Sequence, residues 1–269
     1  MLEFRNVSVS CQRTPILNDI SVSFRAGEIT AVIGPNGCGK TSLLQCLNGV
    51  SKVTAGTVLL NGRNYLSIPL RERARNVAFL PQVRTIIPAI PVKTLVEHGR
   101  FPYLGFARKK SEKDVAIVER AMELAHVTQF ANQSVDTLSG GMRQRVFFAM
   151  TLAQDCDYIV LDEPTTYLDL SGQRDFFSMI RELKHRGKTV ILVLHDLSQA
   201  IRIADKLVIM DRLAPSPGVS KAENAARGFG RIAGVGTPEE CLKLHLIDDV
   251  FDTSWKRFSD PEGDYYFFQ

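Results

Sequence analysis

Two segments of this 269-residue chain carry residue types whose spacing suits phosphate chemistry. Gly34-Pro35-Asn36-Gly37-Cys38-Gly39-Lys40-Thr41 fits the pattern G-x-x-x-x-G-K-[ST], directly after the apolar run Ile29 to Ile33 and at the start of a helical stretch. Glycines let such a loop curl until successive N–H groups point inward as an anion nest, and the helix N-terminus adds partial positive charge. In this pattern Lys40 reaches the β- and γ-phosphates and the Thr41 hydroxyl ligates Mg²⁺. Ser42 follows Thr41 with a second hydroxyl. The second segment, Ile159-Val160-Leu161-Asp162-Glu163, ends an apolar strand in two adjacent carboxylates. A purely structural strand rarely places buried charge there without a counter-ion. Asp162 is expected in the Mg²⁺ shell, and Glu163 as the general base that polarises an attacking water. ATP with Mg²⁺ is the expected ligand. The bland alternatives are a Gly-rich turn bearing a surface lysine, and a strand end capping a turn before Pro164.

Between these segments lies Leu138-Ser139-Gly140-Gly141-Met142-Arg143-Gln144-Arg145. Alone, Ser-Gly-Gly is a flexible turn capping a helix. Placed here it resembles the signature of the ABC ATPases, a family in which the Ser139, Gly140 and Gly141 positions bind the γ-phosphate held by the other subunit. A Ser-capped helix N-terminus free of bulky side chains is physically suited to an anion. Three more residues resemble family positions in the right order. Gln82, in Phe79-Leu80-Pro81-Gln82, is similar to the glutamine that contacts Mg²⁺ or water and faces the transmembrane partner. Asp169 resembles the aspartate linking the two sites. His195 resembles the switch histidine that contacts the γ-phosphate and positions Glu163 and water. Residues 96–103, 132–136 and 162–169 are similar to the importer ATPases serving iron–siderophore, haem and cobalamin permeases. The chain departs from the family at Cys11, where an aromatic usually stacks on adenine, at Met142, where Gln often follows the signature, and in an extra stretch from Leu213 to Gly230.

The resemblance implies an α/β fold, a P-loop (RecA-like) core with a small antiparallel β subdomain and an inserted helical subdomain. It also implies a head-to-tail homodimer sandwiching two ATP·Mg²⁺, closed by a two-fold axis. Integral membrane permease subunits are the expected partners, a solute-binding protein acts indirectly, and no nucleic acid is expected. The implied location is cytoplasmic, peripheral on the inner face of the cell membrane. The rival readings are a soluble ABC ATPase acting on nucleic acid or ribosomes, and the ATPase of an exporter. The first typically carries paired cassettes, coiled coils or zinc modules, which are not visible in the sequence.

The elements expected to position these residues can be read from periodicity. Leu2-Phe4-Val7-Val9 and Ile20-Val22-Phe24 alternate as strands, and Asn61-Gly62 marks a turn. A helix from Lys40 is expected to close at Gly49. Val115, Val118, Met122 and Ala125 form an apolar helical stripe over 112–126, and a further helix starts near Ser139. Tyr158 to Leu161 and Val190 to Leu194 read as buried parallel strands, with a helix through Phe176, Phe177, Ile180 and Leu183 ended by Gly187. The expected division is 1–82 for the first part of the core, 83–153 helical, 154–234 for the second part of the core, and 235–269 a short tail. Leu213 to Gly230 reads as a mobile surface loop, ahead of a turn at Gly234 to Pro238.

With 33 basic against 29 acidic residues, the net +4 gives no strong polyanion signal. Residues 84–113 hold a basic excess, suited to an anionic leaflet, to acidic permease loops, or to an ordinary solvated face. No apolar run is long enough to span a bilayer, and the N-terminus lacks a signal-peptide pattern. Five scattered cysteines fit free thiols in a reducing compartment. Cys38, two residues before Lys40, is either a reactive thiolate or an inert small filler.

Overall fold

The computed structural model describes residues 1–12, 14–82, 87–105, 110–213, 228–260 and 263–269. The chain opens with β1 (Leu2–Cys11), β2 (Thr14–Phe24), β3 (Ile29–Ile33), α1 (Lys40–Asn48), β4 (Val53–Leu60) and β5 (Arg63–Asn64). It continues through α2 (Leu70–Arg73), β6 (Val77–Leu80), α3 (Val92–Glu97), α4 (Glu112–Leu124), α5 (Gly140–Ala153), β7 (Tyr158–Asp162), α6 (Leu170–His185) and β8 (Thr189–Val193). Last come α7 (Leu197–Ile203), β9 (Lys206–Leu213), β10 (Phe229–Gly236), α8 (Pro238–Lys243), α9 (Leu246–Phe251), β11 (Trp255–Asp260) and β12 (Gly263–Phe268). These form two compact units, Met1–Ser67 with Ile191–Gln269, and Ile68–Val190.

In the first unit β1 lies antiparallel between β2 and β4, in registers such as Leu2↔Phe24 and Leu2↔Leu60. Alternation puts Leu2, Phe4, Val7 and Val9 in the core. Strand β3 is apolar at four of five positions and wholly buried. It runs parallel to β9 with Ala31 opposite Leu207 and Ile33 opposite Ile209. Burying one such aliphatic side chain contributes about 1.5–3 kcal/mol, which makes the strand a firm base for the loop that follows. Strand β10 returns antiparallel to β9 and meets β2 at a single pair, Gly230↔Leu17.

In the second unit β6 and β7 pair in parallel, Val77↔Tyr158 through Leu80↔Leu161. Helix α5 packs against α3 and α4. Ser111 caps α4 in a reciprocal box with Asp114, and the same carboxylate accepts from Arg100 Nε at 2.9 Å. Arg100 also donates to the Ala153 carbonyl at 2.9 Å, so the charge buried in the helical region is paired and hydrogen-bonded. Ser111 above all, by its side chain and its backbone N–H, and then Arg100, hold the Asp114 carboxyl down at about 2.

Several expectations need correction. Val115 is 38% exposed, and the inward face of α4 is Ile117, Val118, Ala121 and Met122, with Ala125 just beyond it. Val118, Met122 and Ala125 of the expected stripe are buried as expected and only Val115 falls outside it, because Ile117 and Ala121 turn the apolar face toward the other side. Arg100 is interior, so it leaves the basic stripe, and Lys110 pairs with Glu97. Residues 84–86 and 106–109 of that stripe lie outside the described residues, as does 214–227 of the expected loop. The ends of that loop are strand: β9 runs on to Leu213, and Phe229 opposite Leu213 opens β10. The expected turn at Gly234 to Pro238 is strand to Gly236, followed by a helix capped by Thr237 with Pro238 at its first turn. Glycine-rich sequence here permits a strand instead of a turn, since ladder pairing to β9 supplies the hydrogen bonds. Beyond 235 the chain is more than a short tail, forming α8, α9 and the β11–β12 hairpin paired from Trp255↔Phe268 to Asp260↔Gly263.

Candidate functional site

The loop after β3 is built mainly by backbone. Gly37 and Gly39 sit at φ of 78° and 94°, in the left-handed region that side chains strain to enter. Cys38 N–H donates to the Pro35 carbonyl at 3.3 Å, and Leu43 N–H to the Gly39 carbonyl at 2.9 Å as α1 begins. No acidic residue occupies the first turn of α1, which leaves its positive end for an anion. Lys40 is only 5% exposed, and its Nζ donates to the carbonyls of Gly34 at 2.7 Å and Pro35 at 3.1 Å. The ammonium is therefore folded into the loop that the sequence assigns to phosphate. Thr41 and Ser42 stand half-buried in the first turn of α1, and Gly49 closes the helix in left-handed geometry. His195 is exposed just past β8, where Leu194 N–H reaches the Val32 carbonyl at 3.3 Å. It thus sits at the same strand ends as the loop. Asp196 follows and caps α7, accepting from Gln199 N–H at 3.0 Å.

Cys38 is fully buried, and burial pushes its thiol up despite the nearby Lys40 cation. The reactive-thiolate reading gives way to the filler reading, because desolvation outweighs the ammonium. Cys11 is exposed and pairs with Thr14 at the β1–β2 end.

The second unit carries the carboxylates on side chains. Strand β7 is wholly buried and delivers Asp162 at 1% exposure. Glu163 follows at φ of 48°, a left-handed conformation for a residue with a Cβ. Such a conformation costs of order 1–3 kcal/mol and persists where the surroundings over-determine it. Gln82 Nε2 donates to Glu163 Oε2, and Thr166 Oγ1 to the Glu163 carbonyl at 3.0 Å. Ser139 caps α5, accepting from Met142 N–H at 3.3 Å. One turn on, buried Gln144 donates to the Pro164 carbonyl at 2.8 Å and ties the signature helix to the turn after Glu163. Sequence reasoning missed Gln144; its signal was an amide on the buried side of an apolar helix. Asp169 caps α6, where Gly172 N–H at 2.7 Å and the Ser171 hydroxyl at 3.0 Å hold its carboxyl below the usual range. Gln82, Gly140, Gln144 and Tyr167 line one cavity of about 200 Å³. Gln82, Glu163 and the signature are thereby brought together in this unit, as the loop and His195 are in the other.

Among the described residues no three His, Cys, Asp or Glu cluster as a metal cage. In the second unit Gln82 and Asp162 offer oxygen donors with a single carboxylate, which suits Mg²⁺ carried largely by phosphate and water and not a dedicated protein cage; in the first unit Thr41 offers a hydroxyl. No helix among the described residues is long and apolar enough to cross a membrane.

The ABC transporter family profile matches residues 17–166. The probable siderophore transport system ATP-binding protein YusV of Bacillus subtilis is 39% identical over 248 residues, 91% of this chain and 84% of that protein. The petrobactin import ATP-binding protein FpuD of Bacillus anthracis is 38% identical over 262 residues, 97% of this chain and 89% of that protein. Among solved structures, an inward-facing transporter described as of metal-chelate ABC type superposes with a TM-score of 0.78 at 23% identity, covering 100% of this chain and 96% of that one. With a Gly-rich loop between β3 and α1 and adjacent carboxylates at the end of β7, the chain belongs to the ABC transporter family as one of its ATP-binding ATPase subunits.

Proposed function

We propose that this chain couples ATP hydrolysis to uptake of an iron–siderophore, haem or cobalamin type solute through a separate membrane permease. The observation that carries the reading is the similarity along nearly the whole chain to importer subunits named for siderophore and petrobactin transport. In this reading Gly34 to Ser42 cradle the triphosphate, with Thr41, Asp162 and Gln82 around Mg²⁺. Glu163 is the general base, His195 contacts the γ-phosphate, and Asp169 links the two sites of a homodimer. Ser139, Gly140 and Gly141 bind the γ-phosphate held by the second copy. The hydrogen bond from Gln82 supports the catalytic assignment, because an amide at the carboxylate fixes the oxygen that must face water. Segments 1–82, 83–153, 154–234 and 235–269 are the proposed functional divisions, with the protein docked on the cytoplasmic face of the membrane. The solute-binding protein acts through the permease. The test is uptake of a radiolabelled ferric siderophore by cells in which Glu163→Gln replaces the natural chain. Uptake should fall to background for at least one solute of this class; undiminished uptake of all of them would overturn the reading.

A further inference from the structure

The phosphate loop is pressed from outside by the seam where β10 meets β2. The single register pair between those strands is Gly230↔Leu17, and both members touch the loop. A Cβ placed on Gly230 would stand 1.9 Å from the Cys38 carbonyl oxygen and 3.0 Å from its carbon. A Cβ placed on Gly39 would stand 2.5 Å from Leu17 Cδ2. Gly230 does not lie in the left-handed region, so conformational freedom is not why glycine stands here. Close approach of two backbones is.

We propose that Gly230 is a positioning residue for nucleotide binding, acting through the Cys38–Gly39 peptide. In a trans peptide the carbonyl and the N–H point in opposite directions. The Cys38 carbonyl faces outward to Gly230, so the Gly39 N–H faces the inside of the curl, where an anion nest needs it. Any side chain at 230 must drive the carbonyl away, and the peptide plane turns as a unit. The Gly39 N–H then leaves the nest, while Lys40 and the first turn of α1 keep their places. The neighbouring strand adds to the seam, since a Cβ on Gly37 would come 3.6 Å from Arg212 Nη1.

This inference rests on the reading of residues 34–42 as the phosphate cradle, and the experiment separates the two. Binding of a fluorescent ATP analogue to the full chain is measured for Gly230→Ala, Gly234→Ala and Lys40→Ala, with thermal melting of each. Gly234 lies on the same strand, and the three atoms nearest a Cβ there all belong to the Leu246 side chain, the first at 2.5 Å. Gly230→Ala should raise Kd about tenfold or more, the scale of one lost hydrogen bond to a charged group, with kcat at saturating ATP within about threefold. Gly234→Ala should leave Kd unchanged. Adding Leu17→Ala to Gly230→Ala should not restore affinity, because the colliding atom is backbone. Equal losses in both glycine variants, or rescue by Leu17→Ala, would overturn the proposal. Unchanged binding in Lys40→Ala would instead sink the cradle reading. If Gly230→Ala does not fold, amide exchange of the wild type decides: ATP should protect the Gly39 N–H, and an unprotected Gly39 contradicts the proposal.

Discussion

The loop after β3 and the turn after β7 both leave a fully buried five-residue strand, yet they are made of different material. The first presents backbone: its glycines at positive φ, its carbonyls folded around Lys40, and a cysteine whose side chain is packed away. The second presents side chains: Asp162 buried, and Glu163 held in left-handed geometry with Gln82 on one carboxylate oxygen. A backbone cradle tolerates changes of side-chain chemistry and rejects added bulk. A side-chain turn does the reverse, and a change of one atom should suffice to disable it.

The sharpest way to break this contrast is Glu163→Gln, which keeps shape and removes the carboxylate proposed as the base. Turnover should fall by about 10²–10⁴ while ATP affinity stays near wild type; steady-state ATPase assays and equilibrium binding read the two separately. Loss of binding instead of turnover would erase the distinction between the halves.

A smaller effect is expected for added bulk in the cradle. Gly39→Ala forces a Cβ into left-handed geometry and against Leu17, so Kd for ATP should rise by about tenfold, from roughly 1–3 kcal/mol of strain. Calorimetric titration measures it, and an unchanged Kd would show that the loop yields to bulk.

The buried pair near the signature helix supplies a pH-dependent comparison. The Asp114 carboxyl lies at about 2 against an ordinary 3.8, so its stabilising contribution is complete above the unfolded value and is lost as pH falls through the folded one. Asp114→Asn should therefore cost stability at pH 7, and the gap to wild type should narrow between about pH 4 and about pH 2. Urea melts across that range test it; a gap constant with pH would show that Ser111 and Arg100 do not favour the ionised carboxylate.

The smallest effect concerns Cys38. Burial pushes its thiol up, so alkylation of the native chain at neutral pH should label exposed Cys11 well before Cys38, and Cys38→Ala should keep near-normal ATPase activity. Mass-spectrometric mapping of early labelling at Cys38 would reverse the assignment.

The loop after β3 was legible because its signal is local: Gly37, Gly39 and Lys40 lie within a few residues, and the apolar run before them fixes where it starts. The carboxylate end of β7 was equally plain, since an apolar run must end before Asp162. What local sequence could not show was contact at a distance. Gln144 reaches Pro164 across 20 residues, and Gly230 reaches Cys38 across nearly the whole chain. The β10 strand was read as loop and turn because Gly230, Gly234 and Gly236 lower strand propensity, while pairing to β9 decides the outcome. The β11–β12 hairpin escaped notice for a related reason. Its alternation is masked by aromatics on both faces, with Phe258 and Phe267 exposed on one and Trp255 against Tyr266 on the other.

The central claim is that the cradle of one copy works with the signature of another, and mixing two disabled chains tests it most directly. Lys40→Ala damages only the cradle and Ser139→Arg only the signature, so either homodimer has both sites damaged. The mixed dimer holds one doubly damaged site and one intact site. ATPase activity of an equimolar mixture should exceed both parents and approach about a quarter of wild type if dimers form at random and sites act independently. A mixture no more active than either parent would contradict the head-to-tail arrangement.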